Sequence, residues 1–128
     1  MVHDAVRPLV SPQTISANIA LAEKHGCCIT CAPLLETLVV RQGDGKFVLP
    51  NRSDAAIARA PQTFRLHELL SAHEQALANG RHDFIDSCTL MTYYGHDITL
   101  LSDSDENIKI TTPIDLLVVE TLLHRRQE

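Results

Sequence analysis

Apolar and polar positions fall into helical and strand-like periods separated by glycine, proline and aspartate. "SPQTISANIALAEKHG", residues 11–26, sets Ile15, Ile19 and Ala22 on one helical face, with Ser11 as N-cap, Pro12 in the first turn and Gly26 as the stop. The unbroken run "CCITCA", residues 27–32, reads as a buried strand. With Met1 and Val2 as a strand end, the opening predicts strand, helix, strand: a right-handed crossover onto a parallel sheet.

Further on, "LLETLVVRQGDGKFVLPN", residues 34–51, places two β-rich runs around "QGDG", whose Asp44-Gly45 is a turn signal, so a hairpin is expected. A two-stranded ribbon is marginal in water and must pack on something, which makes it a candidate dimerisation arm. "APQTF" is read as the entry to a second helix over 66–79, with Leu66, Leu69, Leu70, Ala76 and Leu77 on one face. A third helix is expected over 84–94, capped by Asp83 and stopped by Gly95, with strands at "DITLLS" and "NIKITT". The last helix begins at "TTPIDLL", where Thr112 caps, Pro113 takes the first turn and Asp115 lies three residues after the cap. The sum is one α/β domain over residues 1–128, with few strands for a sheet flanked by helices.

Composition narrows the function classes. The 128 residues are 45% hydrophobic and carry a net charge of −5, a globular balance that offers no broad basic footprint for nucleic acid. Neither a membrane-length apolar run nor a signal-peptide pattern is present, so a cytoplasmic protein is expected. Cys27, Cys28, Cys31 and Cys88 include one C-x-x-C spacing but no second pair to complete a zinc site; within an apolar run they read as small packing residues in a reducing compartment. In an acidic chain, any phosphate-bearing ligand must be held by a few well-placed cations.

One such cation, Arg7, lies within "HDAVRP", residues 3–8, a polar turn of the kind found where open α/β sheets bind ligands, yet without the apolar strand expected before it. The expectation is therefore that strands are missing upstream. Asp4 is a suitable oxygen ligand for Mg²⁺ and Arg7 can fork onto phosphate, although the pair could equally be a turn cap and its partner. Lys109, between Ile108 and Ile110, must either snorkel to solvent or face a ligand. Asp86 lies in the cluster His82, Asp83, Asp86 at a helix start, where helix caps are routine and a catalytic role is the sharper alternative.

"VHDAVRPLV", "APQTFRL" and "NIKITTPIDL" together resemble three signature segments of the carboxyl-terminal half of the polyol-phosphate cytidylyltransferases, which include the 2-C-methyl-D-erythritol 4-phosphate and ribitol-5-phosphate enzymes. The resemblance implies part of a Rossmann-like nucleotidyltransferase sheet with flanking helices and a projecting β-hairpin arm at 34–51, the amino-terminal nucleotide-binding half being absent. It implies transfer of CMP from CTP to a sugar-alcohol phosphate with release of pyrophosphate, Mg²⁺ as cofactor and a homodimer formed through the arm. Residue by residue, it makes Asp4 the Mg²⁺- and triphosphate-associated carboxylate, and Arg7 and Lys109 the phosphate-binding cations. Thr37 and Arg52, the latter nine residues before Pro61, would reach the partner's substrate, and Asp86 would bind substrate.

The erythritol-type members usually carry threonine where this chain has Ala60 and Ile85; with two hydroxyl donors fewer, and with "LPNR" and "NIKITT", it resembles the ribitol type somewhat more closely. Its five glycines, at 26, 43, 45, 80 and 95, form no glycine-rich nucleotide loop, so the isolated chain is expected to be inactive. The alternatives are a non-catalytic self-association module, built on uncovered sheet edge and arm, and a truncated gene product.

Overall fold

The computed structural model describes residues 1–126. Helix α1 spans Pro12–His25; the Ser11 hydroxyl accepts from the Thr14 N–H at 3.0 Å, and Gly26, at φ 94°, ends the helix in a conformation side chains avoid. Strand β1, Cys27–Pro33, follows at once and is buried from Cys27 to Ala32. Alternation along it explains the unbroken apolar run. Cys27 and Ile29 join Phe64, Ala72, Ala76, Leu90 and Met91 in the core, while Thr30 on the opposite face takes a hydrogen bond from Asn18 of α1.

Two short strands, β2 (Val40–Arg41) and β3 (Phe47–Val48), pair antiparallel around the Asp44-Gly45 turn and stand as a separate exposed ribbon. A single 3₁₀ turn, Arg52–Asp54, leads into β4, Ala56–Phe64. Helices α2 (Leu66–Ala78) and α3 (Ser87–Tyr93), strand β5 (Leu100–Ser102) and helix α4 (Pro113–Arg125) complete the fold. The sheet order is β4-β1-β5, with β4 antiparallel and β5 parallel to β1.

Several expectations are corrected. "APQTF" ends a strand rather than entering a helix, and that strand is β1's longest partner. Val2 makes only an isolated antiparallel bridge to Gln62, so no parallel crossover from the amino terminus forms. "NIKITT" is not a strand: Ile110 N–H makes a lone bond to the Val6 carbonyl at 2.9 Å, and the sheet edge is taken by β5. The third helix starts at Ser87, and its cap is Asp86, not Asp83. On α1 Ala22 is buried as expected, but Thr14 and Asn18 are buried in place of Ile15 and Ile19, one residue earlier, because this face meets the polar Thr30.

The pairing of β1 with β4 carries an irregularity that shapes the neighbouring cavity. Ile29 pairs with Gln62 but Thr30 with Arg59, leaving Ala60 and Pro61 as a bulge. Its loosened carbonyls are satisfied by side chains: Asn107 donates to Ala60 O at 2.8 Å, and Asn18 and Thr30 donate to Pro61 O at 3.2 and 2.7 Å.

Candidate active site

The bulge and the amino-terminal turn enclose a cavity of about 330 Å³ whose lining includes Asp4, Arg7, Arg59, Gln62, Asp86 and Lys109. Asp4 and Arg7 are brought together by the turn itself, in which Arg7 N–H donates to the Asp4 carbonyl at 3.0 Å. Arg7 is 8% exposed, its Nε donates to Asp4 Oδ2 at 3.0 Å and its Nη1 to the Asn107 carbonyl at 2.8 Å. From the far side, Lys109 Nζ reaches the same Asp4 oxygen at 3.3 Å. Burial pushes the Asp4 carboxyl up, but the hydrogen bonds and charges of Arg7 and Lys109 outweigh it and hold the group below its ordinary value.

Asp86 faces the cavity from the entry to α3. Its Oδ1 accepts from Thr89 N–H at 2.7 Å, and its Oδ2 from Gln62 Nε2 at 3.3 Å. Burial, and the neighbouring Asp4 charge, raise this carboxyl; the bonds from Thr89 and Gln62 win, and it too lies below its ordinary value. The cap and the cavity wall are thus one residue. The turn that holds Asn107 is tied back to α1: Asp103 accepts from Thr14 Oγ1 and from Asn107 Nδ2, each at 2.7 Å.

Asp4, Arg7, Lys109 and Asp86 are therefore gathered in one cavity. Thr37 and Arg52 are not with them within this chain. Thr37 is exposed ahead of β2, and Arg52 lines a separate hollow with Leu34, Leu35 and Asn51, where its Nη1 donates to the Leu35 carbonyl at 2.8 Å. Sequence reasoning missed Arg59, Gln62 and Asn107. Arg59 and Gln62 were hidden because β4 was not recognised. A single buried asparagine carries no sequence signal at all.

All four cysteines are free thiols, and among the described residues none lies in a cluster that could hold a metal. Burial, aided by Cys27 and Cys31, pushes the Cys28 thiol up to about 11, so it is an inert packing group. Among the described residues no helix is long and apolar enough to cross a membrane.

Residues 1–125 match the family described as IspD: 2-C-methyl-D-erythritol 4-phosphate cytidylyltransferase. The chain is 41% identical over 128 residues to a ribitol-5-phosphate cytidylyltransferase of Vibrio parahaemolyticus, covering 99% of this chain and 54% of that protein. It is 39% identical over 123 residues to a 2-C-methyl-D-erythritol 4-phosphate cytidylyltransferase of Porphyromonas gingivalis, covering 95% and 54%. Among solved structures, the 2-C-methyl-D-erythritol 4-phosphate cytidylyltransferase of Thermus thermophilus superposes with a TM-score of 0.82 at 28% identity, over 94% of this chain and 59% of that one. The mixed sheet with its helices is the architecture of these neighbours. The chain spans about half the length of the curated relatives it matches. The expectation that this segment is the carboxyl-terminal half finds no support in the matched shares, which measure how much of each relative is spanned.

Proposed function

The chain belongs to the 2-C-methyl-D-erythritol 4-phosphate cytidylyltransferase family, and on that premise we propose that its Asp4–Arg7–Lys109 cavity binds a sugar-alcohol phosphate for CMP transfer from CTP. The observation that carries the reading is the convergence of Arg7 Nε and Lys109 Nζ on one Asp4 oxygen, at 3.0 and 3.3 Å, in an otherwise acidic protein. Within this cluster two cations share one carboxylate, which leaves one of their charges for a phosphate, and Asp4 holds both side chains in place before the ligand arrives.

In this chemistry a phosphate oxygen of the polyol phosphate attacks the α-phosphorus of CTP, a new P–O bond forms, and the bond to pyrophosphate breaks. No protein nucleophile is needed; the residues position the attacking phosphate and neutralise charge. Arg7 has the more restricted role, because its buried guanidinium is fixed by Asp4 and the Asn107 carbonyl. Lys109, with its side chain 45% exposed, is free to move from Asp4 onto the incoming phosphate.

Mg²⁺ fits only in company. No three acidic, histidine or cysteine side chains among the described residues come together as a metal site, so Asp4 would hold the ion alongside the nucleotide's own phosphate oxygens. Bound there, the ion would neutralise charge on the triphosphate. Ribitol 5-phosphate is the favoured acceptor: Ala60 and Ile85 at the cavity offer no hydroxyl donors, and the Vibrio relative carries that substrate's name. Arg52 and Thr37, lying away from the cavity, would serve the site of a second copy.

The isolated chain binds the polyol phosphate but does not turn over CTP, since none of its glycines forms a phosphate-cradling loop. The test is calorimetry with ribitol 5-phosphate and 2-C-methyl-D-erythritol 4-phosphate, beside an assay of pyrophosphate release with CTP and Mg²⁺. Saturable binding without turnover is expected; binding of neither compound overturns the substrate assignment, and turnover overturns the inactivity. A second reading, a self-association module, is favoured by the exposed apolar residues of the ribbon and α4.

A further inference from the structure

Arg59 lines the same cavity from β4, apart from the Asp4–Arg7–Lys109 cluster. It sits next to the bulge. Arg59 and Gln62 stand on either side of the unpaired Ala60 and Pro61, and both residues line the cavity. Arg59 Nη1 donates to the Ser104 carbonyl at 3.2 Å and comes within 3.5 Å of the Asn107 carbonyl, the same oxygen that holds Arg7. The two guanidinium groups therefore converge on one atom, and their like charges are held close together.

Among the cations lining the cavity, Arg59 is the one without an acidic partner. Arg7 and Lys109 bond to Asp4, Arg65 to Glu68, Arg81 to Asp83 and Arg126 to Glu106; Arg59 has main-chain carbonyls only, among the described residues. Both carbonyl contacts use the same nitrogen, which leaves Nε and Nη2 available to fork onto an anion. Charge supports this. The cavity holds Arg7, Lys109 and Arg59 against Asp4 and Asp86, so Arg59 is the group that makes it net positive.

We infer that Arg59 is a further substrate-binding residue, contacting the phosphomonoester dianion of the acceptor beside Arg7 and Lys109. The assignment rests on the cavity being the polyol-phosphate site. It makes recognition of the charged head group, rather than of the polyol hydroxyls, the main determinant of binding in a cavity flanked by Ala60 and Ile85.

The test is calorimetric titration of this chain with ribitol 5-phosphate at neutral pH. Arg59→Gln and Arg59→Met, the latter keeping the apolar stem, should each weaken binding about 10- to 100-fold, the worth of a charge-assisted bond. Arg59→Lys should recover part of the loss. Lys24→Gln, which makes the same charge change at the far end of α1, should leave the affinity unchanged. Equal affinities for R59Q, R59M and the unsubstituted chain overturn the role of Arg59 while leaving the substrate assignment standing. Equal weakening by R59Q and K24Q also overturns it, reducing the effect to net charge. An unsubstituted chain that binds no polyol phosphate removes the proposed function and this inference with it.

Discussion

At the scale of single residues, the site depends on a side chain that never faces the ligand. Asn107 is 1% exposed, donates to Ala60 O at 2.8 Å and to Asp103 at 2.7 Å, and offers its own carbonyl to Arg7. It joins the bulge, the loop after β5 and the amino-terminal turn. Asn107→Ala would strand the Ala60 carbonyl without a donor, and an unsatisfied buried group costs about 1–3 kcal/mol. Urea denaturation should show a fall in stability of that size with an unchanged slope. Ribitol 5-phosphate affinity should fall as well, because the main-chain carbonyl that holds Arg7 loses the side-chain ties from Asn107 to Ala60 and Asp103 that fix its place. The Asp4 and Arg7 pair was legible from the sequence because the turn makes it local. Asn107 was not, since its partners lie 47 positions away in Ala60 and 100 in Arg7.

At the scale of elements, helix starts were the most legible feature. The Ser11 and Thr112 caps stand where their side chains and the following prolines put them, because a cap is a contact between residues three apart. At α4 the box is reciprocal: Thr112 N–H donates to Asp115 Oδ2 at 2.7 Å, and Asp115 N–H to the Thr112 hydroxyl at 3.4 Å. Bonds from the Thr111 and Thr112 N–H and hydroxyl groups pull the Asp115 carboxyl down to about 2 from an ordinary 3.8. A lowered folded value means that this contribution is complete above pH 3.8 and is lost as pH falls from there toward about 2. Asp115→Asn should lower the melting temperature at neutral pH, and the gap from the parent chain should narrow as an acid titration followed by circular dichroism passes through that window. Strand β4 was illegible for the opposite reason. "AAIARAPQTF" is alanine-rich, carries a proline, and breaks the two-residue period at its bulge, so no local signal marks it. Its strand geometry comes from pairing with β1.

At the scale of the molecule, apolar surface remains uncovered. On α2, Leu66 is 69% and Leu77 63% exposed, and on α4 Ile114 is 64% and Leu117 58% exposed, leaving Val119 as the buried residue of that helix. The ribbon is exposed along both strands, with Val40, Phe47 and Leu49 open to solvent. A monomer rarely leaves this much apolar area exposed, so the chain should self-associate. Sedimentation velocity should show the weight-average mass rising with concentration. If the ribbon is the contact, Val40→Asp combined with Phe47→Asp should return the chain to a monomer with its circular dichroism unchanged; a parent chain that stays monomeric at every concentration would refute the association.

The sequence by itself determined what depends on near neighbours: the Ser11- and Thr112-capped helices, the buried strand after Gly26, the turn of the ribbon, and the Asp4 and Arg7 pair. Periodicity and capping act within a few residues, so a linear reading sees them. Tertiary structure alone decided which strands paired, that "NIKITT" would forgo a sheet, and that Arg59 and Gln62, on either side of the β4 bulge, would line the cavity holding Lys109 and Asp86. Those outcomes turn on buried polar groups finding partners far along the chain. A carbonyl at Ala60 needs a donor whichever residue supplies it, and only the folded chain could assign that task to Asn107.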